Sequence, residues 1–129
     1  MTCNRLFILK NTEKLILGNP RISLLEISEI LAVERHTIES AATELVNLSF
    51  RTWRQAVVMV KAAEMLIDSD ILIKQLAAEL GNGSARAFSR AFREHVNTSP
   101  GRYRRHPHPV PAPPKLENLP EMSSFPPQM

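Results

Sequence analysis

Residues 73–105, IKQLAAELGNGSARAFSRAFREHVNTSPGRYRR, contain the helix–break–helix pattern that decides the fold of this chain. Apolar residues recur here at spacings of three and four, as they do on one face of an α-helix. Gly81-Asn82-Gly83 interrupts the pattern, and Ser84 is a typical cap for the helix that follows. Ser99 and Pro100 have the form of a cap followed by a first-turn proline. The signals predict helices over about 73–80, 85–96 and 100–105.

The middle helix of this stretch has two dissimilar faces. At about 100° per residue, Phe88 and Phe92 lie near one direction, and the three arginines lie nearly opposite. These arginines are Arg86, Arg90 and Arg93. Such a row fits a polyanionic partner, but it is equally typical of a solvated helix face with no partner. The row therefore does not decide between the two interpretations by itself.

Similar start and stop signals divide the rest of the chain. Ser23 and Glu26 fit a capping box, Ser49 is positioned to cap a long helix, and Gly18-Asn19-Pro20 ends the first one. Trp53 lies on the apolar stripe of the long helix, where packing in a core is expected. No stretch alternates as a strand does. Four further helices are predicted, over about 5–17, 24–31, 35–46 and 50–67, so the chain is expected to be all-α.

An internal repeat links the two halves. Five positions match five others 49 residues later: Leu24, Ile27, Ser28, Leu31 and Ala32 correspond to Ile73, Leu76, Ala77, Leu80 and Gly81. Ile38 and Ala42 then match Phe88 and Phe92 at an offset of 50. A short helix, a tight turn and a second helix occur twice, which is the pattern of a helix-turn-helix. A generic helical bundle shares part of this pattern.

Charge is unevenly distributed. The 129 residues have a formal net charge of +3, yet residues 1–50 sum to −1 and residues 51–105 to +5. A basic region confined to one half indicates a polyanionic partner more strongly than diffuse positive charge does.

Several classes of function and site find no support. Cys3 is the single cysteine, so neither an internal disulfide nor a cysteine-based zinc site is possible, and a reducing cytoplasm is the expected location. No apolar run reaches the length of a membrane span or a signal-peptide core. No paired acids, nucleophile–base set or phosphate-binding loop indicates an enzyme, and no metal or cofactor is expected. His106 and His108 are too few for a metal site and are expected to be solvated.

The residues quoted first resemble the second helix-turn-helix of the AraC/XylS family of bacterial transcription regulators. The resemblance rests on Leu76-Ala77, Gly81, Phe88-Ser89-Arg90-Ala91-Phe92 and Ser99-Pro100-Gly101-Arg102-Tyr103-Arg104. It extends over about residues 15–105. It implies a seven-helix region with two three-helix subdomains, each a helix-turn-helix unit, joined by a long linker helix. It also implies that both recognition helices enter adjacent major grooves on one face of the DNA.

The resemblance and the turn signals together predict the domain organisation. The first helix-turn-helix subdomain is placed at 5–48, the linker helix at 49–67 and the second subdomain at 68–105. Residues 106–129 contain eight of the ten prolines and are expected to be disordered or polyproline-like.

The first unit departs from the family pattern. Ala32 replaces the usual Gly, Glu34 the usual Ser, Ser40 the usual Arg and Ala42 the usual Phe; elsewhere, Val58 replaces an Arg and Asn82 an aromatic residue. Its third helix, ERHTIESAATEL at 34–45, has a net charge of −2. Acidic side chains repel phosphates, so the second unit is expected to do most of the DNA binding.

The resemblance implies that the base-facing positions of the second unit are Ala85, Arg86, Ser89 and Arg90. The full set of candidate DNA-binding residues adds Ser84, Arg93, Arg102 and Arg104, and, in the first unit, Arg35, His36, Thr37, Glu39 and Ser40. The first unit either binds DNA weakly, through His36, Thr37 and Ser40, or serves as a protein contact surface.

Three functions are compatible with these observations. The favoured one is a sequence-specific regulator that binds double-stranded DNA as a monomer, because two units already supply two recognition helices. The second is a diverged protein-interaction module that acts on RNA polymerase or another regulator. The third is an enzyme or the appended binding region of one, such as a DNA-repair protein, which the missing cysteine ligands and the short amino-terminal segment disfavour. About 15 residues precede the resemblance, too few for a ligand-sensing domain, so a free-standing regulator or a fragment is expected.

Overall fold

The structure, a computed structural model, describes residues 4–116 of the chain. These residues form seven α-helices, joined by loops, and no strand. In chain order they are α1 (Arg5–Gly18), α2 (Leu24–Leu31), α3 (Arg35–Val46), α4 (Phe50–Asp68), α5 (Ile73–Glu79), α6 (Ala85–Val96) and α7 (Pro100–Arg105). The predicted all-α, seven-helix fold is confirmed. No helix in this part combines the length and the apolar composition that a bilayer span requires.

Serine side chains begin four of the helices. The Oγ atoms of Ser23, Ser49, Ser84 and Ser99 accept hydrogen bonds of 3.0–3.2 Å from backbone amides in the first turns of α2, α4, α6 and α7. Ser23 and Glu26 form the capping box expected from the sequence, since the Glu26 carboxylate also accepts from the Ser23 amide. Each cap satisfies an amide that has no partner inside its helix.

The long helix α4 joins the two units and forms their shared core. Its 19 residues span about 28 Å at ~1.5 Å per residue. α1 and α3 pack on it from the first unit, and α6 and α7 from the second. Trp53 is fully buried on this helix, which confirms its expected place in the core. Both units are thus held on one rigid element.

Two arginines fix the loops that precede α2 and α5. The Arg104 guanidinium donates to the backbone carbonyls of Leu66, Ser69 and Ile71, with donor–acceptor distances of 2.8, 3.2 and 2.8 Å. The Arg54 guanidinium does the same in the first unit, where it donates to the carbonyls of Pro20 and Ile22. Burial lowers the pKa of the Arg54 guanidinium below its ordinary value, and the carbonyls replace the lost water.

The internal repeat extends to these arginines and to the helix ends. Arg54 and Arg104 are 50 residues apart, as are Asn47 and Asn97, which end α3 and α6 with positive φ angles of 59° and 69°. Asparagine tolerates this left-handed conformation better than most residues do. The two units therefore share the means by which they begin, end and anchor their helices.

The turns inside the two units use different residues for one conformation. Gly81, after α5, has a φ of +84°, and Ala32, after α2, has a φ of +58°. An L-residue with a Cβ atom pays about 1–2 kcal/mol for this left-handed conformation. Ala32 thus replaces the glycine usual in the family while keeping the positive φ, and the replacement lowers the stability of the fold.

The beginning of the tail, expected to be disordered or polyproline-like, is packed against the helices over residues 106–116. Leu116 is fully buried in the hydrophobic core, and Val110 packs against the same core. The imidazole Nε2 of His95, on α6, lies 2.8 Å from the Pro111 carbonyl. The tail passes residues of α4 on its way to α1. Apolar side chains within a proline-rich stretch decide this path; residues 117–129 of the predicted tail lie outside the described part of the chain.

Candidate nucleic-acid interface

Helix α6 is anchored by aromatic packing on one side. Phe88 and Phe92 are fully buried, and their ring centroids are 5.7 Å apart. The Phe92 ring also meets the Tyr103 ring of α7 edge-on, with centroids 5.6 Å apart. Paired aromatic rings at these distances add specific packing to the burial of their area. The rotation of α6 about its own axis is therefore set by its buried face.

The opposite side of α6 is open to solvent. Arg86, Arg90 and Arg93 are exposed, and none of the three forms an ion pair or a hydrogen bond with another described residue. Ala85 and Ser89 are half-buried beside them. The small side chains leave room for a surface to approach the backbone of the first two turns.

The amino-terminal end of α6 is capped by a single side chain. Ser84 Oγ accepts from the amide of Ala87 at 3.1 Å, and Ser84 itself is exposed. The other first-turn amides have no partner inside the helix. With the arginines alongside, the amino-terminal end of α6 presents donors and positive charge and no acidic side chain.

Helix α3 occupies the corresponding place in the first unit, but with different chemistry. Ile38, Ala41, Ala42 and Val46 form its buried face. Glu34, its N-cap residue, gives no side-chain cap. Opposite the buried face, Arg35, His36 and Glu39 are exposed, whereas Thr37 and Ser40 are half-buried. His36 Nε2 lies 3.4 Å from Ser40 Oγ, so these two polar groups are adjacent on the surface of α3.

One acidic residue of α3 is paired from α1. The Arg5 guanidinium lies 2.7 Å from the Glu44 carboxylate, although both side chains remain largely exposed. Glu34 and Glu39 form no ion pair among the described residues. The surface of α3 therefore keeps negative charge near its amino-terminal end, where α6 has its arginines.

Two of the three arginines of α7, Arg102 and Arg104, have different environments. Arg102 is exposed, whereas Arg104 turns inward to the three carbonyls at the end of α4. The sequence groups both with the candidate DNA contacts. In the structure the guanidinium of Arg104 is engaged in the fold, because three backbone acceptors that α4 and its loop leave open converge on it.

A cleft between the units contains basic residues that are not among the predicted DNA contacts. It is lined by Pro20, Arg21, Arg51, Arg54, Gln55, Val58, Leu80, Gly81 and Asn82. Arg21 and Arg51 are exposed there, next to the turn that leads into α6. They are 30 residues apart in the chain, so no local pattern brings them together.

A second basic cavity lies at the carboxyl-terminal end of α6. Its lining is Arg93, Asn97, Thr98, Ser99, Arg102, His106 and His108. Arg93 and Arg102 are predicted DNA contacts, whereas His106 and His108, expected to be solvated, are exposed. Only the path of the tail after α7 brings all four basic side chains to one place.

Metal binding finds no support in the described part of the chain, where no three histidine, cysteine, aspartate or glutamate residues are grouped to hold an ion.

Comparison with known proteins places this geometry in a family. A family model described as a helix-turn-helix domain matches residues 27–106. The C-terminal domain of AraT, a response regulator from Geobacillus stearothermophilus, is 26% identical with a TM-score of 0.66, over 76% of this chain and 84% of that one. The chain belongs to the AraC-type helix-turn-helix family. The resemblance to this family, inferred from the motifs of the second unit, is confirmed. The family consists of DNA-binding transcription regulator domains rather than enzymes.

Further AraC-type structures share the fold. A transcriptional regulator from Chromobacterium violaceum with an AraC-type DNA-binding domain has a TM-score of 0.69 at 21% identity, covering 78% of this chain and 95% of that one. The DNA-binding domain of AdpA, solved in complex with a target DNA, has a TM-score of 0.65 at 18% identity. That match covers 84% of this chain and all of the AdpA domain.

A curated relative is much longer. Histidine kinase P4 of Formosa agariphila is 26% identical over 99 residues, which are 74% of this chain and 7% of that protein. The chain therefore spans a small fraction of that relative's length.

Proposed function

We propose that this AraC-type domain is a sequence-specific DNA-binding transcription regulator that reads its site mainly with α6 in the major groove. The observation that supports this most directly is the division of α6 into a buried aromatic face and an opposite face with three unpaired, exposed arginines. A helix held rigidly on one side and exposed on the other has the form of a recognition helix.

The proposed DNA contact of each side chain follows from its position along α6. Arg86 and Arg90 lie in its first two turns, and an arginine there can donate to two acceptors of one guanine. Ala85 and Ser89 are short enough to let the backbone approach the bases. Arg93 lies further along, where the wall of the groove and its phosphates come into reach. Ser84, at the start of α6, and Arg102, on α7, complete the set as candidate phosphate contacts. Arg104 is left out because its guanidinium is engaged with Leu66, Ser69 and Ile71.

The first unit contributes less in this proposal. Its candidate contacts are Arg35, His36, Thr37, Glu39 and Ser40. Unpaired carboxylates near phosphates weaken binding, although a single glutamate such as Glu39 can accept from a cytosine amino group.

The second candidate is a protein-interaction function, which the acidic surface of α3 favours. In that case α3 contacts a basic surface of a partner such as RNA polymerase or another regulator.

Under the main proposal, the chain binds double-stranded DNA as a monomer in the cytoplasm, with both units on one duplex.

Selection of binding sites from random duplex DNA tests the proposal, using the full chain at ~150 mM salt. A single short motif is the expected result and matches recognition by α6. A bipartite motif with half-sites about one helical turn apart would contradict the reduced role of α3. No enrichment would reject DNA recognition and favour the protein-interaction function.

A pair of variants then assigns the contacts. Arg86→Ala is expected to cost about 1–3 kcal/mol at one base position and to relax the preference there. Glu39→Ala is expected to leave affinity unchanged or to raise it slightly. Equal losses from the two changes would contradict the unequal halves, and a loss from Arg86→Ala that is uniform across sequences would make Arg86 a phosphate contact.

A further inference from the structure

The basic cavity at the carboxyl-terminal end of α6 has a composition suited to an anion. It measures about 570 Å³, and the polar groups around it are two guanidinium groups, two imidazoles, two hydroxyls and an amide. Of the residues that line it, none is acidic. Arg93 comes from α6 and Arg102 from α7, whereas His106 and His108 come from the start of the tail.

His108 is held by two contacts at the start of the tail, and His106 is part of the cavity lining. The His108 ring meets the Tyr103 ring edge-on, with centroids 5.3 Å apart and an interplanar angle of 85°. Its Nδ1 lies 3.0 Å from the Pro109 carbonyl, an acceptor, so Nδ1 bears the proton in this contact. In the neutral ring Nε2 then has no proton to donate. Protonation gives Nε2 a donor and gives the ring a positive charge.

We propose that this cavity holds a phosphate of the DNA backbone, and that His106 and His108 contribute to binding when they are protonated. The inference rests on the proposed function, since it places the phosphate beside the groove that α6 enters. Arg86 and Arg93 lie seven residues apart, nearly two turns along one stripe of the helix. With Arg86 at the base edges, Arg93 reaches the wall of a groove about 12 Å wide, where the phosphates are.

The histidines make DNA affinity depend on pH in this arrangement. The charged or titratable groups that face them are Arg93 from α6, Arg102 and Tyr103 from α7, and each other. Burial raises the pKa of the Tyr103 hydroxyl, so this ring stays neutral. Histidine is the residue type whose charge changes most readily near neutral pH. A bound phosphate stabilises the charged form, so affinity rises as the pH falls.

Titration of a ~30-bp duplex of random sequence measures the effect, because phosphate contacts do not depend on sequence. At ~0.15 M salt, one added phosphate contact releases about 0.9 counterion and is worth about fivefold in affinity. The native chain is expected to bind at least ~fivefold more tightly at pH 5.5 than at pH 8, and its salt slope is expected to steepen by about one. The double variant His106→Gln/His108→Phe is expected to lose this difference and to keep the affinity measured at pH 8. Phenylalanine retains a ring against Tyr103, and circular dichroism at both pH values checks the fold.

Matched variants separate this cavity from another histidine. His95→Gln, at the Pro111 carbonyl, is expected to keep the pH dependence, whereas Arg102→Gln lowers the salt slope by about one at both pH values. A native chain with less than ~twofold pH dependence would overturn the inference. So would loss of the dependence in His95→Gln, or its survival in the double variant. Failure of the proposed function is distinct: it appears as no selected motif, whatever the response to pH.

Discussion

Replacing Arg104 by methionine removes a charged group that the structure assigns to the fold. The guanidinium makes three hydrogen bonds to backbone carbonyls, and methionine keeps the apolar stem but none of the donors. A hydrogen bond to a charged group contributes about 1.5–3 kcal/mol. Two of the bonds share one nitrogen and the side chain is half-exposed, so the three do not add in full. We expect a loss of about 2–4 kcal/mol in the free energy of unfolding.

Thermal and urea unfolding of the full chain measure this loss. For a domain of this size, about 1 kcal/mol corresponds to ~3–5 °C, so the Tm is expected to fall by about 6–20 °C. DNA affinity and its salt slope, measured well below the new Tm, are expected to stay at native values. Arg102→Met provides the matched control on the same helix, with native stability and a salt slope lowered by about one.

Arg54→Met extends the experiment to the first unit, where the equivalent arginine donates to Pro20 and Ile22. A loss similar to that of Arg104→Met is expected, because the two loops are anchored alike. An unchanged Tm for Arg104→Met, combined with a reduced salt slope, would refute the structural role and return Arg104 to the set of DNA contacts.

Three further predictions concern stability. Ala32→Gly is expected to stabilise the chain by about 0.5–1 kcal/mol, because glycine adopts the positive φ without strain; urea unfolding checks this, and a loss of stability would mean that the alanine methyl group contributes to packing. Leu116→Ala is expected to destabilise by about 2–5 kcal/mol, since a fully buried leucine leaves a cavity; a calorimetric Tm equal to the native value would show that the tail does not pack in solution. Burial raises the pKa of the Tyr103 hydroxyl, so the fold favours the neutral phenol. The stability that depends on the neutral phenol is complete below about pH 10 and is lost as the pH rises through the folded-state pKa. Tyr103→Phe is expected to reduce this alkaline loss in thermal melts between pH 9 and 11, and an identical loss in the variant would assign it to other groups.

Local signals in the sequence predicted the helices and the second recognition surface. Serine caps, the glycine turn and the three- and four-residue spacing act over a few neighbouring residues, so the sequence already contains what places a helix start or a buried stripe. The two faces of α6 follow from the same periodicity, because Phe88 and Arg86 lie on opposite sides of any helix formed there. The family motifs around Ser99 and Tyr103 identified the AraC-type fold for the same reason.

Contacts between distant segments could not be predicted from these local signals. Both arginines of the sequence Arg102-Tyr103-Arg104 are positively charged, but only the packing of α7 on α4 brings the second one to three free carbonyls. The burial of Leu116 is likewise a property of the core surface that α1 and α4 form together.

The amino-acid order alone thus determined the helical elements, the repeat of two units and the charge difference between α3 and α6, because these depend on interactions within a few turns of one helix. The three-dimensional packing decided which polar groups remain available to a partner. In the fold, Arg104 donates to the carbonyls of Leu66, Ser69 and Ile71, and Glu44 pairs with Arg5. His106 and His108 line the same cavity as Arg93. Hydrogen bonds and charge pairs act over a few ångströms of space, whatever the separation along the chain, and only the fold sets those distances.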